Sequence, residues 1–303
     1  AILFSYLAID LIPSPAGQPN NTNSGSIARF HSSHNVGLSN RFDLSGSQGS
    51  PVNITASAIL NVKDPYGGRT PRNLYLRMAF FDQAGIQEWK TWPFNSIRRE
   101  QPLNQPFWCQ EAIQRGKSAR KHLIIRRLAP APSGALYLPP GTIGIQGVRY
   151  LEFNNTVAHY RSAGPVEDSY RVSYQQMRKY ARRASPRRGT ELLKRLDDLP
   201  RSLQTPEIVD LAIQFGGSQP QTLAAIPLAE RISNALQKRC KYELKDPEGP
   251  YSDPIHNFLF GSRRGYCMHF ATSLAIMLRI HGIPCRIGVG FQGGSPNKDN
   301  SRT

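Results

Sequence analysis

A chain of 303 residues is long enough for two ordinary domains, each with its own core. Hydrophobic residues at 39%, with 25 Gly and 24 Pro, exclude a disordered tail and suit a loop-rich globular protein. The formal charge of +17 attracts anionic partners, but no zinc finger, basic-helix dimer or RNP-type pattern accompanies it, so nucleic-acid binding is not expected.

The first residues, 1–12 (AILFSYLAIDLI), are largely apolar and stop at Pro13 and Pro15. A helix needs about 20 residues to cross a bilayer, so this stretch alone does not span. Two readings stay open: a strand or buried helix end, and the outer end of a membrane helix that starts before Ala1. Residues 13–50, rich in Pro, Gly, Ser and Asn, read as a tether or long loops. Val52, Ile54, Ala56, Ala58, Leu60 and Val62 then alternate with polar residues, which predicts a half-buried strand. Leu74, Leu76, Met78 and Phe80 repeat the alternation after a 64–71 turn. Short β-like runs follow at 86–92, 121–128, 135–138, 143–153 and 156–160, as in an antiparallel sandwich or barrel.

From Gly164 and Pro165 onward helical signals dominate. Residues 171–201 carry ten Lys/Arg and three acids, a solvated face or a contact for an anionic surface. Thr205-Pro206-Glu207 starts a helix whose stripe is Ile208, Leu211, Ala212 and Phe215, closed by Gly216. A second helix begins near Pro227, and Asp253-Pro254 starts a short third.

The chemistry sits in residues 253–294. A helix over 266–281 packs Phe270, Leu274, Met277 and Leu278, stops at Gly282 and Pro284, and turns into a strand carrying Ile287, Val289 and Phe291. Cys267 falls in its first turn. Free backbone amides there favour a thiolate, and Arg263 and Arg264 push the same way. A thiolate in an opening helical turn is a nucleophile; a structural cysteine on a core helix is the bland alternative. Of the other cysteines, Cys285 reads as a small buried residue, and a single Cys109–Cys240 bridge stays open for an oxidising compartment. No Cys/His cluster has zinc spacing and no cofactor is implied.

Gly265, Cys267, Phe270 and Ala271, then Gly282, Ile283, Pro284 and Arg286, then Gly290 and Phe291, resemble the Gly-x-Cys-x-x-Phe-Ala helix and Gly-Ile-Pro-x-Arg turn of the transglutaminase-like superfamily. With Asn257–Phe260 before them and Gln292-Gly293-Gly294 after, the pattern is similar to bacterial membrane-anchored transglutaminase-like proteins of the TgpA type. The resemblance covers about 70 residues closely and the β-rich half more loosely.

The resemblance implies an α+β fold: an antiparallel, sandwich-like β-rich domain, then a partial transglutaminase-like (papain-like) core with the nucleophile at a helix N-terminus. The expected divisions are 1–27 for anchor end and linker, 28–165 for the β-rich domain and 166–303 for the helical lead-in and core. It implies Cys267 as nucleophile in thioester acyl transfer on carboxamide or peptide bonds, whether as transglutaminase, amidase or protease. Tyr266 either shapes the pocket or presents its amide to an oxyanion, or it is a buried anchor. Arg286 is expected in a structural ion pair or hydrogen bonds. The family's His base and orienting Asp or Asn come after the nucleophile helix, and no His follows His281 here, so both are expected beyond Thr303 and the 303 residues themselves are expected to turn over little. His269 lies about 200° round the helix from Cys267, His281 about 20 Å along it, and nothing positions His256. The implied location is the periplasmic face of the cytoplasmic membrane, with residues 1–12 ending the anchor. The implied partners are a protein or peptide substrate and, through 171–201, an anionic membrane surface or envelope polymer. The competing reading is a non-catalytic binding or scaffold module on the same fold.

Overall fold

Leu123 and Ile125 are fully buried while their neighbours Arg120, Lys121 and Arg126 are exposed, so the alternation read at 121–128 makes a strand with one wet face. The computed structural model describes residues 41–44, 60–71, 74–91, 96–109, 120–127, 134–154, 159–164, 169–175, 198–218, 225–243, 251–292, 297 and 299. The apolar segment 1–12, the alternation at 52–59 and most of the basic run (176–197) lie outside them.

The strands are β1 (Arg41–Asp43), β2 (Leu60–Lys63), β3 (Tyr75–Phe81), β4 (Glu88–Lys90), β5 (Ile97–Glu100), β6 (Phe107–Trp108), β7 (Arg120–Arg127), β8 (Thr142–Gln146), β9 (Tyr150–Asn154), β10 (His159–Ser162) and β11 (Ser169–Gln175). An antiparallel sheet runs β2-β7-β11-β8-β6, and a second runs β10-β9-β5. Val62, Leu123, Ile125, Ile145 and Val172 share a core with Phe153 and Tyr160 of the second sheet. The Tyr170 hydroxyl closes this core: it accepts from the Tyr137 amide at 2.7 Å and donates to the Tyr137 carbonyl at 3.1 Å. Tyr170→Phe removes both bonds inside the core. It is expected to cost about 1–3 kcal/mol, read as a lower midpoint in urea unfolding with an unchanged slope.

Two expectations need correcting. The run at 143–153 is two strands, because Gly147 takes a left-handed φ of 87° and turns the chain between β8 and β9. The helical part does not start at residue 165. β11 lies past that point and is the central strand of the five, with Tyr170, Val172 and Tyr174 inward.

The helices are α1 (Pro206–Gly216), α2 (Ala225–Arg239), α3 (Pro254–Phe260) and α4 (Cys267–Ile280). Thr205 caps α1 by accepting from the Ile208 amide, and Asp253 caps α3 by accepting from His256. Two short strands, β12 (Lys241–Tyr242) and β13 (Arg264–Gly265), pair in parallel before α4, and β14 (Ile287–Gln292) follows it. α4 is the centre of the second core: Ala275, Ile276, Met277 and Leu278 are fully buried against α1, α2 and α3. Burial of each large apolar side chain here contributes about 1.5–3 kcal/mol.

The halves of the chain are joined by pairing as well as by packing. β14 pairs antiparallel with β3, from Ile287↔Phe81 to Gln292↔Tyr75, with a bulge at Val289/Gly290. Gly290 is required there: a Cβ would overlap the Leu76 carbonyl oxygen and stand 2.7 Å from Arg77 Cα. Leu44, Phe81 and Trp89 belong to the helical core although they come from the β-rich half. Arg279, buried on α4, donates to the carbonyls of Asp198, Asp82 and Cys285 and lies 4.8 Å from the centre of the Trp89 ring.

Candidate active site

Gly265 opens the site. A Cβ on it would stand 2.7 Å from Phe258 Cδ2 and 2.9 Å from His269 Cγ, so only glycine lets the chain pass between these rings into α4. Arg263, with a left-handed φ of 55°, makes the turn just before. β12 fixes the other wall. Its backbone meets β13 through Lys241 N–H to Arg263 O and Glu243 N–H to Gly265 O, both 2.8 Å.

Tyr266 is the cap of α4, in extended conformation, and its carbonyl accepts from the His269 amide at 2.9 Å. Its own amide donates to His269 Nδ1 at 3.4 Å. The ring is buried, edge-on to the His269 ring at 4.6 Å. Tyr266 thus has a buried ring and an amide turned toward His269. His269 is itself a packed capping group, 5% exposed.

Cys267 is the first residue of α4 and the exposed one among the four cysteines. Its sulfur is crowded on the protein side. Burial pushes the thiol above its ordinary range, while the amides of Met268 and of Cys267 and the hydroxyl of Tyr242 pull it down. The helix-start amides thus act in the direction expected from sequence, but desolvation outweighs them. Nor do the upstream arginines serve as expected. Arg264 faces Glu243 at 3.7 Å, and the Arg263 charge lowers buried Cys240 instead.

Tyr242 is the site residue that sequence reasoning missed. It sits opposite Gly265 in the β12–β13 pair, and its ring stacks on Phe270 with centres 6.2 Å apart. Its hydroxyl is hydrogen-bonded to Cys267, both thiol and amide. Burial, then the neighbouring Cys267 charge, raises the Tyr242 hydroxyl above its usual range, so it stays a neutral donor. Tyr242 follows Cys240 after a helix end and lies 25 residues before Cys267 in sequence. Only the parallel pairing brings the two together.

The remaining candidates are engaged elsewhere. His281 Nε2 meets the Ala212 carbonyl at 2.9 Å, His256 packs on the Phe260 ring at 4.9 Å, and His122 Nδ1 meets Ser173 Oγ at 2.9 Å. Cys285 is buried with its thiol toward the Ala275 carbonyl. Arg286 is 2% exposed, and its guanidinium stands 3.5 Å from the centre of the Phe80 ring. Cys109 and Cys240 lie in different cores, so the bridge left open between them does not form. Among the described residues no group of His, Cys, Asp or Glu could hold a metal ion.

The sequence and the fold both match known proteins. The family model described as the transglutaminase-like superfamily matches residues 211–302. A protein-glutamine gamma-glutamyltransferase of Pseudomonas aeruginosa is 40% identical over 80 residues, which are 26% of this chain and 11% of that protein, so the chain spans about a tenth of that relative's length. Two crystal structures of the periplasmic domain of TgpA from the same organism share the fold. One, bound to ethylmercury, has a TM-score of 0.59 and 24% identity over 88% of this chain and 87% of that one. The other has a TM-score of 0.59 and 23% identity over 88% and 85%. The chain is an α+β protein whose residues 211–302 match the model of the transglutaminase-like superfamily.

Proposed function

We propose that Cys267 is the nucleophile of a thioester-forming acyl transfer on protein or peptide carboxamides. The thiolate attacks the carbonyl carbon, the C–S bond forms, and the C–N bond breaks as the leaving amine takes a proton. Water or a second amine then attacks the thioester and the sulfur leaves as thiolate, so the outcome is hydrolysis or cross-linking. The observation that carries this reading is the placement of Cys267: solvent-exposed, first in α4, and touched by the Tyr242 hydroxyl. That hydroxyl and the Cys267 amide are the donors on hand for the oxyanion of the tetrahedral intermediate.

The chemistry needs a base, a His oriented by an Asp or Asn, that is distinct from the described histidines. The described His122, His256, His269 and His281 have other partners. The location we infer is the periplasmic face of the cytoplasmic membrane; no helix among the described residues is long and apolar enough to cross a membrane. The basic run 171–201 adds contact with an anionic envelope surface, read as binding that weakens with salt.

Tyr242→Phe tests the site chemistry. The hydroxyl lowers the Cys267 thiol, so its loss moves the thiol further up. Iodoacetamide labelling of Cys267 at neutral pH is expected to slow several-fold, with its pH profile displaced to higher pH. An unchanged profile removes Tyr242 from the site. For the reaction itself, release of ammonia from a carboxamide peptide is compared between the full-length gene product and its Cys267→Ala variant. Equal release by both favours the non-catalytic scaffold reading.

A further inference from the structure

The strands of the five-stranded sheet carry six Lys/Arg and no carboxylate. One face of this sheet is the core. On the other, one row runs across neighbouring strands as Trp108, Gly144, Ser173 and His122. The Trp108 indole stands against Gly144: a Cβ there would be 3.0 Å from indole Cε3 and Cζ3. It is 42% exposed, with the Arg120 guanidinium 5.3 Å from its centre. At the far end the Tyr66 ring, 75% exposed, stands edge-on to His122 at 5.6 Å. Exposed Lys63, Arg126 and Arg171 lie on the same face. Asp64, in the turn beside Tyr66, accepts the Tyr66 amide at 2.8 Å.

We propose that this face binds an acidic glycan, a chain of sugar rings bearing carboxylates. The cations complement the carboxylates, and an arginine held against an indole is already oriented for one. The imidazole of His122, between two exposed aromatic residues, suits the hydroxyl groups of sugars. From β6 to β7 the row crosses three strand spacings, about 14 Å, enough for more than one ring. A lipid surface would want apolar tips that project, whereas the Trp108 ring packs against Gly144. Single-stranded nucleic acid would want successive ring faces, whereas Tyr66 and His122 meet at 78°.

The test is affinity electrophoresis of the 303-residue chain through gels containing polygalacturonate, with neutral dextran as control. Retardation by polygalacturonate, lost as salt rises, is expected, with none by dextran. Trp108→Ala and, separately, Arg126→Gln combined with Arg171→Gln are each expected to weaken binding about tenfold. The arginine pair is exposed, so it reports on the face even where Trp108→Ala lowers the melting midpoint. Thiol labelling of Cys267 stays unchanged in the arginine variant, which separates this face from the active site. The proposal is overturned by no retardation at low salt, by equal retardation in dextran, or by wild-type binding in the arginine variant. It is equally overturned where phosphatidylglycerol vesicles or oligo-dT bind more tightly than the polyuronate.

Discussion

Cys267→Ala is expected to reduce acyl transfer by the full-length gene product about 10⁴-fold or more, to background. A nucleophile removed outright leaves only binding and oxyanion donors, which act on a bond that nothing attacks. The same substitution reports on the 303-residue chain without turnover. Cys109, Cys240 and Cys285 are buried, and burial holds Cys240 up to about 11. Native protein treated briefly with iodoacetamide is therefore expected to take one label, on Cys267, and the variant none. Labelling of a second cysteine in folded protein contradicts the burial assigned to the other three. Cys267→Ser separates size from chemistry, since it keeps the shape and loses the soft nucleophile. It is expected to be as inactive as the alanine variant.

Arg279→Ala is expected to be the most damaging substitution for stability, about 3–5 kcal/mol. The guanidinium is 4% exposed and bonds carbonyls from three separate segments, those of Asp82, Asp198 and Cys285. Its removal leaves those carbonyls without that donor and opens a cavity beside Trp89. Because one of the three segments leads from α4 into β14, the loss also loosens the pairing of β14 with β3. Lysine keeps the charge but not the fork of donors, so Arg279→Lys is expected to recover only part of the loss. Denaturant unfolding monitored by tryptophan fluorescence reads both variants. A loss below about 1 kcal/mol for Arg279→Ala contradicts this account of the junction.

The parts of the fold legible in the sequence were those decided locally. Thr205-Pro206 and Asp253-Pro254 each put a side-chain oxygen on a free helix amide, and that geometry needs no distant partner. Gly265 was legible as a turn residue, and the Phe258 and His269 rings supply the reason that only glycine fits. β11 was hidden because Arg171 opened a charge run that outweighed the alternation of Tyr170, Val172 and Tyr174. On an open sheet face arginine is an ordinary outward residue, so the basic count carried no helix information. The β3–β14 pairing joins residues more than 200 apart, and its register depends on a bulge that no local pattern announces. Tyr242 was missed for the same reason, since only β12 beside β13 places it at Cys267. Cys267 was readable as the candidate nucleophile from its turn and motif, but the direction of its acidity was not. The helix-start amides are written in the sequence, whereas the desolvation that exceeds them comes from packing.

The central claim is that Cys267 carries an acyl group. The direct measurement uses p-nitrophenyl acetate on the 303-residue chain, with mass spectrometry of the quenched protein. The account predicts p-nitrophenolate release matched by one acetyl group per chain, located on the peptide containing Cys267 and absent from Cys267→Ala. Acetyl on other residues at the same rate in both proteins, with none on Cys267, contradicts it.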